Sequence, residues 1–302
     1  MAYFIQLVFA GIVLGCIYAL VALGFTIIFK ASAVFNFAQG EFLLIGAFVA
    51  YVADSLWHLS FFLAVLVALL VTVLIALVFE RLVVRRMIGR PIFSIVMITI
   101  GLNVLLQTGV VIAGGSASSY ASATPFSITS GFNVGGVHGV HFGASDLWTI
   151  GITIVCCAAL YVFFRFTRYG LAMRATALDQ EAAAATGINI HTVYALAWGI
   201  AAAIAVIGGI MLAIGQTTFD STLGNIALLA FPAIILGGLD SIPGAVVGGI
   251  IIGLTEELTA GYEGHFAFLG NGFYVIAPFL LMIIILLVRP YGLFGTRKVE
   301  RV

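Results

Sequence analysis

Asn36, Gln39 and Glu41 stand close together in the stretch Asn36-Phe37-Ala38-Gln39-Gly40-Glu41, between two long apolar runs. Amide and carboxylate side chains in such surroundings either hydrogen-bond neighbouring helices or line a path for a polar solute. Glu41 is the sharpest case. An acidic side chain at the centre of a bilayer costs about 2.5–3.5 kcal/mol on insertion scales. It must face a cavity or a partner, or lie near the interface in the first turn of a helix, where the helix dipole favours it. Asn103 and Gln107 are spaced four residues apart in a later apolar run, and Thr99 extends the same helical face. Interhelical hydrogen bonding is the plainer reading of that face, and pathway lining the sharper one.

Other combinations carry less chemistry. His138 and His141 have a spacing found at some metal sites, but no Cys lies near them and Asp146 is the nearest acid. No metal site is expected. Cys16, Cys156 and Cys157 are an odd number, all within apolar runs, which argues against structural disulfides. No Ser/His/Asp grouping or carboxylate pair has a convincing placement for catalysis, and no cofactor is expected. The chain lacks a G-x-x-x-x-G-K-[ST] phosphate loop, so any use of ATP falls to another chain.

The elements that must hold these residues are membrane helices. Hydrophobic residues are 63% of the 302 and charged ones 8%, with a mean hydropathy of +1.24. A soluble domain carries about 25% charge, so bilayer is the solvent here. Net charge is zero, which excludes a nucleic-acid partner. A helix crosses the hydrocarbon core with about 20 residues. Apolar runs cover 3–29, 42–53 (continuing from the interrupted stretch 33–41), 61–79, 93–113, 147–164, 193–215, 226–239, 245–258 and 273–288. The expected fold is all-α and polytopic, a single domain over 1–302 with about nine transmembrane or re-entrant helices. The polar interruptions at 33–41 and 239–244 suggest broken or re-entrant segments, which are tolerated at membrane depth when they line a cavity or pack in protein.

All twelve Lys and Arg fall on one side of this arrangement: Lys30; Arg81, Arg85, Arg86 and Arg90; Arg165, Arg168 and Arg174; Arg289, Arg297, Lys298 and Arg301. Cytoplasmic loops retain basic residues. The N-terminus is therefore expected outside and the C-terminus inside. MAYFIQLVFAG lacks a basic start and reads as a retained span, not a cleaved signal. Small-xxx-small spacings at Gly11/Gly15, Gly244/Gly248 and Gly249/Gly253 point to close helix packing within the subunit, or to a face for a second one. The loop 114–146 is expected to fold over the outer mouth, with room for short hairpins. Glu256 and Glu257 are expected at a solvated helix end, and Glu80 to pair locally in the basic cluster that starts at Arg81.

The cytoplasmic loop 165–192 holds the most specific local pattern. Residues 171–186 are mostly strong helix formers and predict one short amphipathic helix. Gly187 stands where a left-handed cap would stop it. Such a helix at the inner face gives a soluble partner something to grip.

Glu181-Ala182-Ala183-x3-Gly187 resembles the core of the EAA loop of ABC importer permeases. Arg174-Ala175 and Gly187-Ile188-Asn189 are similar to the variant in branched-chain amino acid permeases. Asn36-Phe-Ala-Gln-Gly-Glu41-Phe, Ser241-Ile-Pro-Gly-Ala245 and Arg289-Pro-Tyr-Gly-Leu-Phe-Gly295 agree in the same order. The resemblance covers almost the whole chain and is closest to the first permease subunit of that importer type. The Ile-x-Leu-Pro that follows the Gly in the general pattern is missing, as is usual in the branched-chain group. Gln39 stands where a His is common, and Asp240 where Gly is frequent, which leaves the cargo open.

The resemblance implies a permease subunit in a bacterial cytoplasmic membrane. It implies a second, homologous permease subunit, two ATP-binding subunits and a periplasmic or extracellular solute-binding protein as partners. Arg174, Asp179, Glu181, Ala182, Ala183 and Gly187 would couple to the ATPase. Asn36, Gln39, Glu41, Asn103 and Gln107 are candidates for the translocation path. Alternatives are the same architecture carrying urea or short amides, and an ion-coupled secondary transporter built on Glu41.

Overall fold

The computed structural model describes residues 1–87, 90–114, 119–125, 131–134, 140–264 and 272–295. Twelve α-helices dominate these residues. They are α1 Ala2–Ser32, α2 Gln39–Tyr51, α3 Phe61–Leu82, α4 Ile92–Gly114, α5 Ala144–Phe166, α6 Arg168–Leu178, α7 Gln180–Ala185, α8 Ile190–Gln216, α9 Ile226–Leu229, α10 Phe231–Gly237, α11 Ile242–Gly261 and α12 Phe273–Val288. A π-helical turn, Val52–Leu56, prolongs α2, and a 3-10 turn, Val84–Met87, follows α3. Seven helical segments are long and apolar enough to cross a membrane, and Leu223–Gly237 and Phe273–Val288 are shorter apolar ones. This is an all-α polytopic membrane fold. Over their most apolar windows α1 and α8 are 78% buried, against 22%, 17% and 22% for α3, α4 and α5. Helices α1 and α8 are thus mostly buried, while the other three turn Leu66, Leu70, Leu105 and Val155 outward, as lipid-facing helices do.

The helices group into two compact units. The first comprises Met1–Thr26, Phe126–Thr153 and Ala227–Val302. Here α1 packs on α11 at glycines. A methyl group on Gly15 would sit 2.7 Å from the Ile250 Cα, and one on Gly11 would sit 2.9 Å from the Leu254 Cα. Both glycines of the Gly11/Gly15 spacing are thus used for packing inside this subunit. Gly248 likewise lies against the Ala233 backbone of α10. The strands β2 Gly131–Val134 and β3 Val140–Gly143 form an antiparallel hairpin, and Gln6 both donates to the His141 carbonyl at 3.2 Å and accepts from its N–H at 2.9 Å. The chain after α12 returns to α10, with the Leu293 and Phe294 N–H groups donating to the Leu236 and Gly237 carbonyls.

The second unit comprises Ile27–Pro125 and Ile154–Ile226. Its centre is the packing of α2 on α8, again at glycine: a methyl on Gly46 would sit 2.7 Å from the Val206 Cα. Trp198 of α8 packs edge-on against Phe42 of α2 and beside Phe79 of α3, with centroids 6.2 and 5.6 Å away. The strands β1 Tyr120–Ala121 and β4 Thr218–Phe219 pair antiparallel, and Tyr120 stacks on Phe48, Tyr51 and Phe219.

Several sequence expectations need correction. The stretch 33–41 is not uniformly irregular. Helix α1 runs on to Ser32, the chain turns at Ala33 (φ 56°), and α2 already starts at Gln39, so Glu41 is a first-turn acid. The run 226–239 breaks after Leu229, where Pro232 opens α10 because its ring suits a first turn and supplies no N–H. The next run is longer than expected. Pro243 again starts a helix, and α11 continues to Gly261. Glu256 and Glu257 therefore lie within α11, and the Tyr18 hydroxyl donates to Glu256 Oε2 at 2.5 Å. As expected, Glu80 pairs within the basic cluster that starts at Arg81; its partner is Arg85, through two contacts at 3.3 and 3.2 Å. The single helix expected over 171–186 is two helices, α6 and α7, parted at Asp179. His138, Arg297, Lys298 and Arg301 lie outside the described residues.

Candidate functional site

The polar residues of the first interruption point three ways. Glu41 is 1% exposed. Its Oε1 accepts from Asn103 Nδ2 of α4 at 3.1 Å, and that amide also donates to the Phe37 carbonyl at 3.3 Å. Its Oε2 has no partner, and the sole ion pair among the described residues lies elsewhere, between Arg85 and Glu80. Gly224 closes over the carboxylate; a methyl group there would stand 2.6 Å from Oε1. Gln39 turns to α8, donating Nε2 to the Ala201 carbonyl at 3.1 Å and leaving a buried Oε1 unpartnered. Asn36 stays in the link, where its Oδ1 accepts from the Ala38 N–H at 3.1 Å and its Nδ2 is buried without a partner. A buried polar group left unsatisfied costs roughly 1–3 kcal/mol.

The face of α4 serves interhelical bonding, the plainer of its two readings. Thr99 Oγ1 donates to the Val96 carbonyl at 2.8 Å and accepts from the Phe37 N–H at 3.3 Å. Gln107 Nε2 donates to the Ser221 carbonyl at 3.1 Å, away from Glu41. The structure thus joins Asn103 to Glu41 and leaves Gln107 in a separate contact.

The loop after α5 is built from caps. Thr167 starts α6 by accepting from the Gly170 N–H at 3.0 Å. Asp179 is extended (φ −155°, ψ 112°), so it ends α6, and its Oδ1 caps α7 by accepting from the Ala182 N–H at 2.9 Å. Gly187 has φ +88°, and the Gly187 and Ile188 N–H groups donate to the Ala184 and Ala183 carbonyls. That pair of bonds is the Schellman stop, with glycine in the left-handed position that spares a Cβ clash. Asn189 then caps α8. Among the residues named from sequence, Arg174, Asp179, Glu181, Ala182 and Gly187 are exposed, while Ala183 is buried and anchors α7. Leu178 was not singled out by the sequence. It is a large apolar side chain, 90% exposed at the α6–α7 corner.

A cavity of about 250 Å³ lies between the ends of these elements. Ser32 and Asn36 line it from the first interruption, Thr99 from α4, Gln180 from α7, and Tyr194 and Trp198 from α8. Gln180 of α7 and Tyr194 of α8 meet in this lining. Neither Gln180 nor the two aromatic residues carries a sequence signal, because their role comes from where α7 and α8 meet. Among the described residues no group of three His, Cys, Asp or Glu is arranged to hold a metal.

The sequence matches the family described as "Branched-chain amino acid transport system / permease component" over residues 7–287. It is 33% identical over 319 residues to the high-affinity branched-chain amino acid transport system permease protein LivH of Escherichia coli K12, covering 99% of this chain and 98% of that one. It is 30% identical over 311 residues to BraD of Pseudomonas aeruginosa, a permease protein of the same description, with 99% and 98% covered. A probable branched-chain amino acid transport permease protein LivH of Methanocaldococcus jannaschii is 29% identical, with 93% and 90% covered.

Proposed function

This chain belongs to the branched-chain amino acid transport permease family, and on that premise we propose that it is a membrane subunit of an ATP-driven importer carrying branched-chain amino acids into the cytoplasm. The carrying observation is the end-to-end similarity to a permease protein named for high-affinity branched-chain amino acid transport. The partners are a second, homologous permease subunit, two ATP-binding subunits and a solute-binding protein outside the membrane. The N-terminus is outside and the C-terminus inside, so 165–192 is a cytoplasmic coupling loop in one permease domain spanning 1–302. This orientation brings the exposed corner of α6 and α7, with Arg174, Asp179, Glu181 and Leu178, within reach of the ATPase.

Coupling then follows from the packing. Closure of the ATPase pair pushes α7, Ala183 transmits the push to its neighbours, and the Gln180–Tyr194 contact carries it to α8. Helix α8 is packed against α2, which carries Gln39 and Glu41. A bistable packing of α2 on α8 is the element whose two states would open the path to either side. Asn36, Gln39, Glu41 and Asn103 are the path's polar groups, and Gln107 adds a contact beside it.

The test is uptake by vesicles containing this chain with its partner subunits. Leucine should accumulate only with ATP inside and the binding protein outside. Urea and acetamide in excess should not compete. Uptake by this chain alone, or competition by urea, would reject the reading.

A further inference from the structure

We propose that the cavity between Asn36 and Trp198 is a carboxylate-binding subsite for the transported amino acid, with one wall supplied by the coupling helix α7. The inference rests on the importer reading and adds to it the place and the chemical end of the substrate that is held. Asn36 and Trp198 are 1% and 2% exposed, and both line the cavity. Asn36 Nδ2 and Trp198 Nε1 are buried N–H donors without acceptors. The amide is oriented by its own oxygen, which takes the Ala38 N–H. The indole is fixed by Phe42 and Phe79.

The other polar groups of the lining are engaged. The Ser32 hydroxyl donates to the Ile28 carbonyl at 2.8 Å and accepts from the Val34 N–H at 3.4 Å. The Thr99 hydroxyl is used on both sides by Val96 and Phe37. Gln180 and Tyr194 stand side by side in the lining. What the cavity offers an occupant is therefore donors, and Arg90 adds a guanidinium to the lining. Among the described residues neither Asp nor Glu lines it, so none of them offers a side chain to pair with an ammonium. Ile28, Val34, Phe35 and Ile95 make up the apolar wall. Two neutral donors, a cation and aliphatic contacts select a monocarboxylate with a short branched hydrocarbon tail. Lys30 and Arg90 belong to the basic clusters assigned to the cytosol, which makes this the exit end of the path. Because Gln180 is the first residue of α7, movement of the coupling helix deforms the subsite directly.

The experiment measures equilibrium binding of radiolabelled leucine to the purified complex of this chain with its permease and ATPase partners, without nucleotide or solute-binding protein. Saturable binding is expected, competed by unlabelled leucine and by 4-methylpentanoate but not by leucinamide. Trp198→Phe keeps an aromatic ring between Phe42 and Phe79 but removes the N–H together with part of the indole, and Asn36→Leu removes the amide, including the oxygen that takes the Ala38 N–H. Each should weaken binding about tenfold, or ~1.4 kcal/mol, in complexes that still assemble. Asn36→Asp, which sets carboxylate against carboxylate, should weaken it further. Absence of saturable binding, equal competition by leucinamide, or unchanged binding in both Trp198→Phe and Asn36→Leu overturns the proposal. ATP-driven leucine uptake by the wild-type complex is measured in parallel. If uptake is intact while these binding results fail, the subsite is wrong and the importer reading stands; if uptake itself is absent, the importer reading fails.

Discussion

Asn103 holds Glu41 and the Phe37 carbonyl with one side-chain amide, at 3.1 and 3.3 Å, so a single residue of α4 ties down both the first turn of α2 and the link before it. Asn103→Leu would leave both carboxylate oxygens of a buried acid unsatisfied. That should cost about 1–3 kcal/mol, read as a lower thermal midpoint of the purified complex. A midpoint equal to that of the wild type would mean that Asn103 is not what holds the carboxylate.

The same pair separates two energy sources. Glu41→Gln keeps the size of the side chain and an acceptor for Asn103, and removes the charge. Under ATP drive, a protonophore should leave leucine uptake unchanged in the wild-type complex and in Glu41→Gln alike. An ion-coupled carrier would instead lose uptake under the protonophore, and that result would reassign the energy source.

Gly224 stands so close to Glu41 that a methyl group would lie 2.6 Å from Oε1. Overpacking of this kind costs about 1–3 kcal/mol. Gly224→Ala should lower the thermal midpoint, and Glu41→Asp, one methylene shorter, should recover part of the loss. In the double-mutant cycle the two changes should couple by roughly 0.5–3 kcal/mol. Additive effects would show that the carboxylate is not what requires a glycine at 224.

Most spans and one helix stop were legible in the sequence for a physical reason. Apolar length reports spans directly, because backbone in lipid must bond within its own helix. Gly187 was legible as a left-handed stop, since few other residues take φ +88° cheaply. Asp179 was read as part of a continuous helix, yet it breaks one. An aspartate bonds backbone N–H groups as readily outside a helix as it tolerates one inside, and periodicity cannot tell the two apart. The ends of α2 and α11 were misjudged because polar residues such as Gln39, Glu41 and Glu256 were read as boundaries. Packing against Ala201, Asn103 and Tyr18 lets them continue inside helices. The cavity was not legible at all. Its walls come from residues as distant in sequence as Asn36, Gln180 and Trp198, and only the tertiary contacts bring them together.

Leu178 gives the most direct test of the coupling corner. At 90% exposure its side chain packs on almost nothing among the described residues, although its neighbours Met173 and Thr176 on α6 are buried. An apolar side chain held at a capped helix corner loses little freedom on docking, so its burial by an ATPase groove would contribute about 1.5–3 kcal/mol. Leu178→Asp should therefore reduce capture of the ATPase subunits by tagged permease roughly tenfold or more, with membrane insertion unchanged. Gly187→Val and Glu181→Lys should also reduce capture. The first forces a β-branched residue into a left-handed backbone, and the second reverses an exposed charge on α7. Asp179→Ala should act more mildly, because losing an N-cap costs about 0.5–2 kcal/mol and frays α7 rather than blocking the surface. Normal capture by Leu178→Asp and Gly187→Val together would place the ATPase contact elsewhere. The α6–α7 corner would then be an ornament of the fold rather than its lever.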